Sequence, residues 1–257
     1  MIQGQLIIVQ VAAFNNIGYS DRSEQNAEGV DVQVSPPNAP DPLIVNYDET
    51  NESQISLVMT AFASIAETGG SEIISYSLEW DGGNPGTQFD SFIGEDTNNI
   101  QLAFLKDSLT SGIGYNFRYR VKNLYGWSPY SSVLSQLAAR QPDAPLAPKT
   151  LNTATSVTVS WEEPYNGASA ITAYRVELAT TINAIAFELE KTYCNAEFDS
   201  TVIQNRSCSI PMSVFTEDPF SLFQGEEIIA RVVAINSIRE SDVSELSSIY
   251  LTVGAVV

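Results

Sequence analysis

The chain has 257 residues, 44% hydrophobic and only 17% charged, which is enough apolar material for one large or two ordinary packed domains. Its 31 acidic against 12 basic residues give a net charge of -19, so the surface repels phosphate backbones and no nucleic-acid partner is expected. Histidine is absent, which removes Ser-His-Asp and Cys-His nucleophilic sites and the usual zinc ligand sets.

No apolar run approaches the ~20 residues of a membrane span, so no direct membrane insertion is expected in this segment. The opening MIQGQLIIVQVAAFNN lacks a basic leader and a small-residue cleavage site, and reads as a strand. LIIVQVAAFNNIGYSDRSE continues it: an alternating strand ends at Asn15, a turn carries Gly18, and a serine-bearing second strand follows. The proline-rich SPPNAPDP comes next as a stiff joint, since proline clusters cannot lie inside a sheet.

DETNE (48–52) then offers hard oxygen ligands through Asp48, as EDTNN (95–99) does through Asp96. Neither fits an EF-hand spacing, so these are weak calcium candidates and no metal site is assigned. ISLVM and GGSEIISYSLEW are period-2 strands, the second holding Tyr76. DGGNPG lacks the Lys-Ser/Thr ending of a phosphate loop and reads as a hairpin turn.

YNFRYRVKNLYGWSPYSS (115–132) repeats the first hairpin's plan, with Asn123 closing the strand and Gly126 three residues later. Residues two apart on a strand share a face. Tyr115, Phe117, Tyr119 and Val121 therefore point inward, and Asn116, Arg118, Arg120 and Lys122 outward. Arg118 and Arg120 are expected to interleave with Trp127 and Tyr130 in a cation–π ladder, each contact being worth roughly 0.5–2 kcal/mol. Cations used in that way make a scaffold; a partner-binding platform and a glycan-stacking face are the alternatives.

After a second joint, QPDAPLAP, the strands VTVSW (with Trp161) and NGASAITAYRVEL (with Tyr174) mirror the pair before. AFELEKTYC is expected as a strand ending at Cys194, and RSCSIP as a strand holding Cys208. If the two strands face each other, a disulfide closes a loop of about 15 residues and stabilises by roughly 3 kcal/mol; buried thiols are the alternative. EIIARVVAINSIRESDVSE is a third copy of the hairpin, ending at Asn236, with Arg239 where the others have glycine. Two N-glycosylation triplets occur, at Asn51 and Asn205. The adjacent acids Glu162–Glu163 and Glu226–Glu227 point to opposite faces of a strand, so neither pair can flank one glycosidic bond. No enzyme activity and no cofactor are expected.

Taken together, the proline-rich entries, VTVSW, ITAYRVEL, LTSGIGYNFRYRVKN and the final N-x-x-G-x-S resemble tandem fibronectin type III modules. The resemblance implies all-β, immunoglobulin-like sandwiches, with Tyr76, Trp161 and Tyr174 in cores and Tyr115 in a tyrosine corner. The last module departs from that corner, with Ile228 at the position. Trp127-Ser-Pro-Tyr130-Ser is similar to the Trp-Ser-x-Trp-Ser box of cytokine-receptor modules, whose paired cysteines are missing here. SCSIPMSVF with LFQGEEIIARVVAIN is similar to repeats of large surface proteins of ciliate protists.

The modules implied are 1–35 (the closing hairpin of a truncated module), 36–141 and 142–257. A two-stranded hairpin is marginal alone, which implies either a longer polypeptide or strands supplied by another molecule. The function implied is a structural or adhesive spacer array at a cell surface or outside the cell, with protein partners or neighbouring copies of itself and N-glycans. A ligand-binding receptor ectodomain and an intracellular filament-associated array are the alternatives.

Overall fold

The computed structural model describes residues 7–26, 34–84, 88–153, 155–180 and 186–247, and the backbone of 251–252. Contacts group the chain into two compact units. The first comprises Met1–Asn46, Ser56–Lys106 and Gly114–Gln136, and the second Tyr47–Ile55, Asp107–Ile113 and Leu137–Val257. The proline joints in the sequence follow a different criterion: the loops Tyr47–Ile55 and Asp107–Ile113 count with the second unit.

In the first sandwich, β1 (Ile44–Val45), β2 (Ile55–Val58), α1 (Ile65–Thr68), β3 (Ile73–Trp80), β4 (Asp90–Ile93), β5 (Ala103–Lys106), β6 (Gly114–Asn123), β7 (Gly126–Trp127) and β8 (Leu134–Leu137) follow in order. One sheet runs β1-β2-β5; the other runs β4-β3-β6-β7, with β8 also on β6. All pairs for which a register is resolved here are antiparallel. Alternation along β2, β3 and β6 sends Ile55, Leu57, Leu78, Phe117, Tyr119 and Val121 inward, each with 0% exposure. Two phenols tie the layers together: Thr60 N–H donates to Tyr119 Oη at 3.4 Å and Phe62 N–H to Tyr76 Oη at 3.3 Å.

The second sandwich repeats the plan with β9 (Lys149–Asn152), β10 (Ser156–Ser160), β11 (Ile171–Ala179), β12 (Phe187–Leu189), α2 (Ser200–Asn205), β13 (Ser207–Pro211), α3 (Met212–Thr216), β14 (Glu227–Ile228), β15 (Ala230–Asn236) and β16 (Leu251–Thr252). Its sheets are β9-β10-β13 and β12-β11-β15, with β14 on β16. Trp161 meets Tyr174 edge-on, with ring centroids 5.4 Å apart, in a core that also buries Ile228, Phe215 and Phe220. The chain is thus all-β, built of fibronectin type III-like antiparallel sandwiches with short helices in connections.

The serine-bearing half of each hairpin is not an ordinary strand. Every third residue lies against every second residue of its partner, and serine side chains complete the pairing. In β6, Val121 N–H donates to Ser128 Oγ at 3.0 Å and Tyr119 N–H to Ser131 Oγ at 3.1 Å, while Ser128 and Ser131 N–H groups return bonds to the same residues' carbonyls. In β15, Ala234, Val232 and Ala230 donate to Ser241, Ser244 and Ser247. In the first hairpin, Ala13, Val11 and Val9 donate to Ser20 Oγ, Ser23 Oγ and Asn26 Oδ1. The network is built three times in one register.

The asparagines ending the first strands of the second and third hairpins, Asn123 and Asn236, share a task. Asn123 Nδ2 donates to Ser35 O at 2.7 Å and Thr68 O at 2.9 Å; Asn236 Nδ2 donates to Arg140 O and Asn166 O at the same two distances. Each clamp fastens a unit's entry segment to its β2–β3 or β10–β11 loop. The approach is so close that a Cβ on Gly69 (φ +65) would lie 2.2 Å from Ser35 O, and one on Gly167 (φ +67) 2.3 Å from Arg140 O. Asn123→Asp or Asn236→Asp keeps the acceptor oxygen and removes both donors. Each is expected to cost about 1–3 kcal/mol in a denaturant titration, because a buried side chain gives up two hydrogen bonds to part-buried carbonyls.

Burial, and then the Glu163 carboxylate, push the Tyr174 phenol up to about 12, while Arg206 acts the other way. A raised folded-state pKa means the native state favours the neutral phenol. This stabilising contribution is intact below about pH 10 and is lost as pH climbs through 12. Tyr174→Phe is expected to flatten the fall in stability across that window, read from denaturation midpoints at stepped alkaline pH.

Candidate functional site: an arginine–aromatic ladder

The outward residues of β6 lie opposite β3 in fixed register, Arg118 to Glu79, Arg120 to Ser77 and Lys122 to Ser75. Glu79 is nearly fully buried, and its carboxylate organises the face. Arg118 Nε and Nη2 donate to Glu79 Oε2 at 2.8 and 2.7 Å, and Tyr130 Oη donates to Oε1 at 2.5 Å. The Arg118 guanidinium lies 4.3 Å from the Phe89 ring and 3.9 Å from the Tyr130 ring. Arg120 follows, 4.8 Å from Tyr130 and 4.7 Å from Trp127, with Nη2 on Glu95 Oε1 at 2.8 Å. Lys122 Nζ stands 5.1 Å over Trp127. The stack runs Phe89, Arg118, Tyr130, Arg120, Trp127, Lys122, ring and cation in alternation. Burial first, then donation to Glu79, push the Tyr130 phenol above its usual range.

A shorter version stands on the second unit. Glu177 on β11 lies opposite Arg231 on β15, as Glu79 does opposite Arg118. Arg231 sits 3.8 Å over Phe187 and donates to Glu177 Oε2 at 2.6 Å. Arg175 bonds Glu177 Oε1 at 3.0 Å and Glu240 Oε1 at 2.6 Å. The common element is a carboxylate on the third strand, an arginine on the strand beside it and a phenylalanine at the sheet's far edge. The repeat of this carboxylate and phenylalanine at matching positions was available in the sequence, in LEW…FDSF and VEL…AFEL, but nothing in either stretch marks the glutamate as the centre of a stack.

The ladder holds its cations against carboxylates and ring faces, so little positive charge is left to recruit phosphate or another anion. Its chemistry is rigidity and charge neutralisation. Arg120 Nε is buried without a hydrogen-bond partner among the described residues.

The remaining sequence-derived positions fall as follows. Tyr115 is buried and stacks on Trp80 at 5.7 Å, and Tyr76, Trp161 and Tyr174 are buried. Asp48 is mostly exposed and pairs with Arg239 at 3.0 Å, an arrangement that opposes a cation at that carboxylate. Asp96 is exposed. No group of three or more His, Cys, Asp or Glu set to hold a metal occurs among the described residues. Part of DGGNPG lies outside the described residues.

Cys194 and Cys208 form a disulfide with Cα atoms 5.1 Å apart. Cys208 is on β13, but Cys194 does not end a strand as the sequence pattern predicts. β12 stops at Leu189, and a turn follows in which the buried Glu190 carboxylate accepts N–H bonds from Thr192, Tyr193 and Cys194 at 2.9, 2.6 and 2.8 Å. A charged acceptor saturated by backbone donors replaces the ladder that a longer strand would have used.

No family model matches the chain. Among solved structures it is similar to "Crystal structure of chicken CNTN1 FN1-FN3 domains", with TM-score 0.47 and 12% sequence identity, covering 96% of this chain and 77% of that one. The ladder therefore has to be understood from its own geometry.

Glu79→Ala leaves Arg118 without its counter-ion in a largely dry stack and is expected to cost about 2–3 kcal/mol in urea titration. Lys149→Ala breaks a pair whose side chains are 68% and 65% exposed, Lys149–Glu162, and should change stability by less than about 0.5 kcal/mol.

Proposed function

We propose that the chain is a non-enzymatic structural and adhesive spacer array within a larger cell-surface, extracellular or filamentous protein, contacting other proteins or neighbouring copies of itself. The single observation that carries this is repetition: one hairpin network, in one register, built three times, with the cations of both outer faces turned to internal use. The type III-like fold suits a structural or interaction role. The disulfide is compatible with an extracellular setting, and no helix among the described residues is long and apolar enough to cross a membrane. A surface-protein setting like that of the ciliate repeats belongs to the same proposal.

The modular assignment 1–35, 36–141 and 142–257 is part of this reading. The first hairpin has its strand-to-strand bonds in place, yet Val9 and Val11 are 53% and 69% exposed where Tyr119 and Val232 are at 0%. It has the form of the closing hairpin of a third module. Exposed Leu124 and Tyr125 at the β6–β7 turn favour a second reading, a ligand-binding receptor ectodomain.

The test is to place a copy of residues 140–226, the part of the second sandwich that precedes its own hairpin, ahead of the intact chain. Amide exchange at Val9, Val11 and Ala13 should then slow towards the rates at Ala230, Val232 and Ala234. Exchange that stays fast with the added strands folded would sink the modular assignment, and the array reading with it.

A further inference from the structure

We propose that Asn205 carries an N-linked glycan and that Asn51 does not. The two triplets, Asn51-Glu52-Ser53 and Asn205-Arg206-Ser207, are equivalent as sequence. They differ in structure.

Asn205 is the last residue of α2, and the helix stops because Arg206 takes a left-handed backbone conformation (φ 51). Ser207 then opens β13, so the triplet straddles a sharp change of direction. Such a corner turns the Asn205 side chain outward. It is exposed, and no hydrogen bond engages its carboxamide among the described residues. Its neighbours are anchored elsewhere: Arg206 Nη1 bonds Glu163 at 3.1 Å, Arg206 O accepts from Trp161 N–H, and Cys208 is in the disulfide. A sugar on Asn205 Nδ2 displaces none of these contacts.

Asn51 is half-buried in a tight turn. Its Oδ1 accepts both the N–H and the hydroxyl of Ser53 at 2.9 Å, and its backbone pairs with Gln54. The intervening Glu52 is held by Arg140 at 2.9 Å. A branched, strongly hydrated substituent on that half-buried amide crowds the turn and the Arg140–Glu52 pair beside it, and the folded chain selects against it.

This inference rests on the extracellular reading above, because the glycan transferase and the disulfide both belong to the secretory compartment. The chain would be secreted from a eukaryotic cell behind a standard leader. Its intact mass would be read before and after peptide-N-glycosidase, and its free thiols counted. One enzyme-sensitive glycan is expected, lost in Asn205→Gln and in Ser207→Ala and kept in Asn51→Gln, with the thermal midpoint unchanged in Asn205→Gln.

Secreted chain with the Cys194–Cys208 bridge formed but no enzyme-sensitive mass overturns the proposal and leaves the extracellular reading standing. Occupancy at Asn51 overturns the selectivity claimed for Asn205. A chain retained in the cell with two free thiols sinks both.

Discussion

Hydrogen bonds from the backbone N–H groups of a central strand to serine hydroxyl oxygens of the segment beside it are the constraint on which the rest depends. A segment that advances three residues for every two of its partner cannot form a regular ladder, and the partner's N–H groups would then be buried without acceptors. Ser128 and Ser131 supply those acceptors to Val121 and Tyr119, as Ser241 and Ser244 do to Ala234 and Val232. Each hydroxyl in turn donates to the carbonyl of the residue after its own, so its donor is satisfied too. Only because the edge is settled in this way can the central strand give one whole face to the core.

The two units fill that core differently. The inner face of β6 is bulky, with Phe117, Tyr119 and Val121, whereas β15 offers Ala230, Val232 and Ala234. The volume missing in the second unit is supplied by Trp161 and by the segment after β13, whose Met212, Phe215 and Phe220 are buried in the same cluster. α3 and its flanks are thus part of the core. On the other side of β13, the Glu190 turn and the disulfide fasten the β12–β13 connection to β13. On the outer faces the units agree, with a carboxylate, arginine and phenylalanine in each. A chain of net charge -19 spends several of its few arginines there.

Much of the sandwich was legible in the sequence, because alternation over nine residues in YNFRYRVKN can bury only one face and the proline clusters can lie only between sheets. The serine pairing was harder to see. A spacing of three, as in Ser241, Ser244 and Ser247, matches neither the period of a helix nor that of a strand, so the segments read as plain second strands and the task of their serines is hidden. The ladder's ring and cation members follow from β6 and the segment after it, but Glu79 on β3 and Phe89 just ahead of β4 are brought there by a pairing that only the fold sets. Cys194 was misplaced because AFELEK alternates well enough to promise a longer strand; Glu190 ends it by turning its carboxylate onto the backbone. α2 carries a local signal, Asp199 capping Thr201 and Val202, that strand alternation does not reveal.

The asparagine clamps carry a mechanical consequence. Ser35 and Arg140 lie ahead of the first strand of each sandwich, and each is fastened by a side chain at the end of that sandwich's β6 or β15. Tension arriving from the N-terminal side therefore meets a short, stiff fastening before it reaches any sheet. The first bonds to be loaded are amide-to-carbonyl bonds beside a glycine with no side chain in the way. When the pull relaxes they can re-form without repacking the interior, so the entry segment yields and recovers like a latch while the layered core behind it stays closed.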